Sequence, residues 1–89
     1  MKRRIGFVGI ILENKEHVSE INQVISDHSE LVLARVGLPM KGADTAGVIT
    51  LVVEATTDEM GAFAGRLGKI GGISVKSALA KQREPEKTA

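Results

Sequence analysis

Four short segments of the chain have the apolar, β-branched composition of β-strands. The first and third carry apolar side chains at almost every position, which is typical of strands in the middle of a sheet. The fourth alternates apolar with polar side chains, which predicts that one face of this strand is exposed to solvent. The predicted strands are residues 5–12, 31–38, 48–55 and 73–80.

The first predicted helix covers residues 15–28, where apolar side chains recur at three- and four-residue spacing. Asn14 precedes it and is suited to cap its N-terminus. The predicted buried stripe consists of Val18, Ile21, Val24, Ile25 and His28. His28 lies in the last turn, where a cationic imidazole would favourably meet the helix carbonyls.

The second predicted helix follows a capping-box pattern in which Thr56 is the N-cap and Glu59 returns to it. The helix is expected to run to about Leu67, and Gly68 is suited to a left-handed C-cap. Gly61 and Gly65 flank the apolar stripe and are expected to permit close packing against the sheet. That stripe consists of Met60, Phe63, Ala64 and Leu67.

The order strand, helix, strand, strand, helix, strand predicts an α+β, ferredoxin-like βαββαβ fold: a four-stranded antiparallel sheet with two helices on one face. Residues 1–80 are predicted to form this domain, with an exposed hairpin connection at residues 39–47 and a turn at Gly71 and Gly72. Residues 81–89 are charged at five of nine positions and include a proline. They are predicted to form a disordered tail.

Two helices on one face leave the other face of the sheet bare. On the central strands that face is apolar, so a single copy would expose a larger apolar surface than a soluble monomer usually does. A homo-oligomer, a dimer or larger, is therefore predicted. The alternative is that the tail or the hairpin connection folds over the sheet, although both are polar. The interface candidates are Phe7, Ile11, Val48, Thr50 and Val52.

Composition excludes several classes of protein. The chain has no cysteine, which removes disulfides and thiolate chemistry and favours a reducing cytoplasm. Its longest apolar run is too short for a membrane span. The two phenylalanines are the only Phe, Tyr or Trp residues, and the net charge of the chain is +1. Few rings for base stacking and little positive charge both disfavour nucleic-acid binding. The basic start at residues 2–4 is expected to be a solvated terminus.

No catalytic residue, metal site or cofactor site is predicted. Neither histidine lies in a motif with an activated Ser or Thr nucleophile. His17 lies near Glu13 and Glu20, which could hold a divalent cation, but a solvated helix face is favoured. Gly6 and Gly9 lie within a strand rather than in a loop that opens a helix, so they favour close backbone packing over a dinucleotide site.

Three motifs resemble the ACT-like regulators associated with iron-only hydrogenase systems. They are R-I-G-F-V-G-I-I-L-E-N-K at residues 4–15, A-R-V-G-L-P at 34–39, and T-T-D-E-M-G-A-F-A-G-R-L-G-K-I-G-G-I-S-V-K-S-A at 56–78. The resemblance implies an ACT fold, a homo-oligomer joined through its sheets, and a regulatory or ligand-sensing role. The related metal-binding domain of nickel-responsive repressors uses strand histidines and a cysteine, which this chain lacks.

The resemblance also places a ligand near the loop after the first strand. The ligand-binding candidates are Glu13, Asn14 and Lys15 in this loop, together with Arg35 on the second strand. Asn14 can equally act as a helix cap, and Arg35 can equally pair with a neighbouring acid.

The leading hypothesis is a non-enzymatic regulatory domain that binds a small-molecule effector between subunits of a homo-oligomer. The alternative is an accessory protein-interaction module that docks on a metalloenzyme or its maturation factors without a small ligand.

Overall fold

The chain folds as an antiparallel sheet covered by two helices. The computed structural model describes residues 2–13, 16–39 and 47–81. The elements are β1 (Arg4–Leu12), α1 (Val18–Asp27), a 3₁₀ turn (Ser29–Leu31), β2 (Val32–Pro39), β3 (Gly47–Ala55), α2 (Thr57–Gly68) and β4 (Ile73–Leu79). The sheet order is β2-β3-β1-β4. The predicted fold class is confirmed, with β1 and β3 in the centre. Most of the predicted hairpin connection at 39–47 and of the predicted tail at 81–89 lies outside the described residues, which omit 40–46 and 82–89.

The core lies between the sheet and the two helices. Strands β1 and β3 alternate between buried and accessible residues, so each sends every second side chain toward the helices. Val8 faces Leu51 across this pair, and Ile10 faces Ile49. The predicted helix stripes supply the opposite wall of the core through Ile21, Val24, Ile25, Met60, Phe63 and Leu67.

Helix α1 begins later than its apolar pattern indicates. Its first residue is Val18, and its N-cap is His17, whose side chain makes no capping hydrogen bond. The predicted start at residue 15, with Asn14 as the cap, is therefore wrong. Directly after β1, the Glu13 N–H donates to the Gly72 carbonyl at 2.8 Å, which holds the chain beside the turn before β4.

Strand β2 contains an irregularity that its sequence pattern does not reveal. Val32, Ala34, Val36 and Leu38 alternate in the sequence, a spacing that predicts one shared face for all four in a regular strand. The register against β3 shifts between Val32 and Ala34. Val32 consequently pairs with Val53 on the helix side, whereas the other three pair with residues of the opposite side. A β-bulge exchanges the faces in this way because it adds one residue to one strand.

Helix α2 begins with the predicted capping box. The Glu59 N–H donates to the Thr56 hydroxyl at 3.1 Å, and the Thr56 N–H donates to the Glu59 carboxylate at 2.8 Å. The hydrogen bond from the Thr56 backbone, supported by Arg3, lowers the pKa of Glu59 below its ordinary value. This contribution to stability is therefore present above the unfolded-state pKa and is lost as pH falls through the folded-state pKa.

The glycines of α2 do not have the roles predicted for them. The C-cap is Lys69 with φ −81°, so the predicted left-handed cap at Gly68 is wrong. Among the described residues the positive φ occurs at Gly72, at 75°, in the turn before β4. A Cβ placed on Gly61 or Gly65 would meet nothing within 4 Å, so neither glycine provides close packing against the sheet.

Replacing Gly65 with alanine is expected to stabilise the protein. The site is exposed and open, so the added methyl group costs nothing in the fold and reduces the entropy of the unfolded chain, which raises the free energy of unfolding by about 0.5–1 kcal/mol. Thermal melting checks this, with Gly72→Ala as the control. That variant is expected to lower the melting temperature because its φ is positive. A fall for Gly65→Ala would contradict the open position of Gly65.

Candidate functional site

The face of the sheet opposite the helices is accessible and mostly apolar, and we call it the open face. Among its large side chains Phe7 is 50% exposed, Val36 65% and Leu38 61%. The alternation of burial and the strand register define its members. They are Ile5, Phe7, Gly9, Ile11, Ala34, Val36, Leu38, Val48, Thr50, Val52, Glu54, Ser74, Lys76 and Ala78.

All five interface candidates predicted from the sequence lie on the open face. In the central strand pair, Phe7 lies opposite Val52, and Ile11 lies opposite Val48. Thr50 lies opposite Gly9 in the row between them. These side chains therefore form one continuous surface across β1 and β3.

A shallow hollow of about 420 Å³ adjoins Phe7 at one end of the open face. It is lined almost wholly by apolar atoms. The small side chain of Ala78 on β4, next to the ring of Phe7, leaves room for the depression. The remaining lining residues are Ile5, Gly6, Val52, Leu79 and Ala80. Such a hollow can accept an aliphatic or aromatic side chain but offers little to orient a polar ligand.

The ligand-binding candidates are not all brought together within one chain. Glu13 is exposed at the end of β1, and Asn14 and Lys15 lie outside the described residues. Arg35 lies on the helix side of β2 and donates to Asn22 Oδ1 at 2.9 Å, so its partner is an amide rather than the acid considered as the alternative to a ligand. Strand spacing puts Arg35 roughly 20 Å from Glu13, too far for one small ligand to contact both.

A groove between the two helices was not predicted from the sequence. The groove has a volume of about 360 Å³ and is lined by Glu20, Gln23, Val24, Arg66, Lys69 and Ile70. Gln23 donates to Asp27 at 2.8 Å, and Arg66 donates to the same carboxylate at 3.1 Å. These hydrogen bonds lower the pKa of Asp27 below its ordinary value. The sequence contains the four-residue spacing of Gln23 and Asp27, but nothing in it brings Arg66 to them.

His28 is held in place by α2. Its ring packs on Phe63 with ring centroids 4.9 Å apart, and its Nε2 lies 3.2 Å from Arg66 Nη1. His28 is the C-cap residue of α1, and its ring serves as an aromatic contact between the helices. The cationic role expected for it at the helix end stays a prediction.

The other polar residues considered for chemistry have contacts within the chain. His17 Nδ1 lies 2.6 Å from Glu20 Oε1, and the described residues contain no cluster of side chains suited to a metal ion. Arg3 pairs with Glu59 at 3.1 Å. Arg4 donates to the Thr57 hydroxyl at 2.6 Å and the Ala80 carbonyl at 2.9 Å. Arg3 is exposed and Arg4 partly exposed, so both arginines lie at the solvated surface, where they contact α2 and the residue after β4. None of the helices in the described ranges has the length and apolarity needed to cross a bilayer.

Solved structures with the same fold place the chain among known proteins. The structure of the uncharacterized protein TM1266 from Thermotoga maritima is 32% identical, with a TM-score of 0.82, and the match covers 90% of this chain and 100% of that one. The crystal structure of the ACT domain from GTP pyrophosphokinase of Chlorobium tepidum is 20% identical, with a TM-score of 0.71, covering 85% and 99% of the two chains. The second likeness shows the ACT fold alone.

The family comparison covers almost all of the sheet and both helices. The model of the TM1266-like family, described as "Iron-only hydrogenase system regulator, putative", matches residues 4–77. No curated protein matches the chain. The resemblance noted from the sequence motifs is confirmed: this chain belongs to the TM1266-like family of iron-only hydrogenase system regulators.

Proposed function

We propose that this chain is a non-enzymatic regulatory domain that associates with a second copy through its open face and responds to a small-molecule effector at the subunit boundary. The observation that carries the proposal is the open face itself, with Ile5, Phe7, Ile11, Val36, Leu38 and Val52 all exposed. Complete burial of a fully exposed side chain of this kind contributes roughly 1.5–3 kcal/mol, so covering these side chains, which are about half exposed, contributes roughly half as much each. The family description supports a regulatory role in an iron-only hydrogenase system.

The contacts of the two described histidines support a non-enzymatic role. His17 is engaged by Glu20, and His28 by Arg66 and Phe63. A nucleophilic mechanism needs a base within reach of a Ser, Thr or Cys side chain, and neither histidine has that neighbour among the described contacts. The same proposal places the protein in a reducing cytoplasm, on the ground that the sequence has no cysteine.

The effector site in this proposal is the chain segment that follows β1. Glu13 lies at its start and offers an exposed carboxylate, and Asn14 and Lys15 add an amide and a cation in the sequence. Arg35 of the same chain lies too far away, so it contributes to this site only from another subunit. Charged and amide groups of both signs suit a zwitterionic or phosphate-bearing metabolite.

A thermal-shift titration against amino acids and nucleotides tests the sensing half of the proposal. An effector at one hundred times its Kd is expected to stabilise the folded protein by about 2.7 kcal/mol, which raises the melting temperature by roughly 10 °C or more in a chain of this size. The variant Glu13→Gln should reduce the shift, whereas Glu30→Gln, an exposed carboxylate in the 3₁₀ turn, should preserve it.

The absence of any shift would contradict effector sensing. The open face also fits the alternative of an accessory module, in which a metalloenzyme or one of its maturation factors covers this face. A stable complex with such a protein, formed by a chain that remains monomeric alone, would favour that alternative.

A further inference from the structure

Two charged residues, of opposite sign, interrupt the otherwise uncharged open face. Glu54 lies opposite Ile5 on one side of β1, and Lys76 lies opposite Gly9 on the other side. Phe7 lies between Ile5 and Gly9 on the same face of β1, so it is midway between the two charges. Within the described part of the chain no ion pair engages either charge.

Glu54 and Lys76 are too far apart to pair within one chain. They are two strands and four residues apart, which corresponds to roughly 17 Å. Covering the open face with an apolar partner would therefore bury two unpaired charges, at a large cost in desolvation. A partner that covers this face has to present a cation to Glu54 and an anion to Lys76. A second copy of the chain carries both.

The geometry of the sheet restricts how a second copy can meet these charges. A two-fold axis parallel to the strands does not change a residue's position along the strand. Glu54 then lies level with the second copy's Ile5, four residues along the strand from its Lys76. A two-fold axis in the plane of the sheet and perpendicular to the strands places each strand over the same strand of the second copy, so Glu54 lies over β3, whereas Lys76 belongs to β4. A diagonal two-fold axis through Phe7 places Glu54 of one copy over Lys76 of the other. It makes the strands of the two copies cross at roughly 70°, close to the orthogonal class of sheet packing.

We propose that two copies pack open face to open face about a diagonal two-fold axis through Phe7, with Glu54 of each copy paired to Lys76 of the other. We call this arrangement of the two copies the dimer register. It rests on the proposed self-association and specifies the symmetry and the contacts of the dimer. The two Phe7 rings meet at the axis. Because the axis exchanges the strand direction with the cross-strand direction, Val52 of one copy lies over Gly9 of the other, and Ile5 lies over Ala78. Large side chains thus meet small ones.

Gly9 provides an independent argument for the dimer register. A Cβ at this position would approach nothing closer than the Lys76 carbonyl oxygen, at 3.9 Å, so packing within the chain leaves room for a side chain. In the proposed dimer the missing side chain makes space for Val52 of the second copy. The hollow beside Phe7, bounded by Ala78, accepts Ile5 in the same way.

Charge reversal tests the dimer register. Glu54→Lys places a new lysine against Lys76 of the second copy, and Lys76→Glu places a new glutamate against Glu54. Each reversal creates two repulsive contacts per dimer, so each variant alone is expected to dimerise at least roughly tenfold more weakly than wild type. An equimolar mixture of the two variants restores both attractive pairs. It is therefore expected to form a heterodimer of near wild-type affinity, measured by analytical ultracentrifugation.

The mixture separates contacts between chains from effects within a chain. If the single variants remain folded by circular dichroism, dimerise weakly and recover on mixing, the dimer register is supported. Undiminished dimerisation of the single variants, or no recovery on mixing, overturns the dimer register while leaving self-association intact. A monomeric wild-type protein overturns the proposed self-association and the dimer register with it.

Discussion

Replacing Gly6 with alanine is expected to lower the melting temperature by roughly 10 °C or more, since overpacking of this kind costs about 2 kcal/mol or more in a domain of this size. Gly6 is buried in β1 between Val53 and Leu79. An added Cβ would collide with the Ala78 carbonyl oxygen and approach Leu79 Cδ2 to 2.7 Å. The first obstacle is backbone, so relief requires β1 and β4 to move apart.

Gly37→Ala is the matched control for this prediction. Gly37 also lies within a strand, but a Cβ there would meet nothing within 4 Å. Thermal melts of the two variants at one protein concentration are expected to show a large loss for Gly6→Ala and little change for Gly37→Ala. Equal melting temperatures for the Gly6 variant and wild type would contradict the close approach of β1 and β4.

Replacing Phe7 with aspartate is expected to weaken self-association by roughly a hundredfold or more. Aromatic residues near the centre of an interface often contribute more than 2 kcal/mol to binding, and the new carboxylate would be buried without a partner. Phe7 is half exposed and its removal leaves the core intact, because the core lies on the other side of the sheet. The variant should therefore remain folded as a monomer. Sedimentation velocity over a dilution series measures the loss.

Ala62→Asp is the control for the Phe7 variant. Ala62 is exposed on α2, in the helix layer, so it introduces the same charge on the opposite side of the molecule. It is expected to leave the association constant unchanged. A similar loss in both variants would indicate a general effect of charge. Undiminished association of Phe7→Asp would exclude the open face as the contact.

The strands and their faces could be predicted because burial imposes a simple period on the sequence. In β1 and β3 the apolar residues on both faces identified these strands as central, and the structure confirms that position. The capping box at Thr56 and Glu59 was recognisable because its donors and acceptors lie within four consecutive residues. Local hydrogen bonding and a two-residue period can both be read directly from the chain.

The remaining features depend on contacts between residues distant in sequence. The bulge in β2 moves Val32 to the helix side without any change in the apolar pattern. The contacts of His28 could not be predicted, because Arg66 and Phe63 are brought to it only by the packing of α1 on α2. Arg35 similarly meets Asn22 through the packing of α1 against the sheet.

The residues of the candidate site likewise include some that could be predicted from the sequence and some that could not. The interface candidates, such as Phe7 and Val52, followed from alternation along single strands, so their common placement was predictable. The opposed charges at Glu54 and Lys76 were not, because their relation to Phe7 requires the register of β1 with both of its neighbours. The loop candidates rested on family resemblance, and their role as an effector site remains a prediction.

Light scattering coupled to size-exclusion chromatography at micromolar concentration determines whether a second copy covers the exposed apolar side chains of the sheet. The mass of one chain is 9.5 kDa, and a particle of about twice that mass is expected. A mass near 9.5 kDa throughout the dilution series, for protein that is folded by circular dichroism, would contradict this expectation.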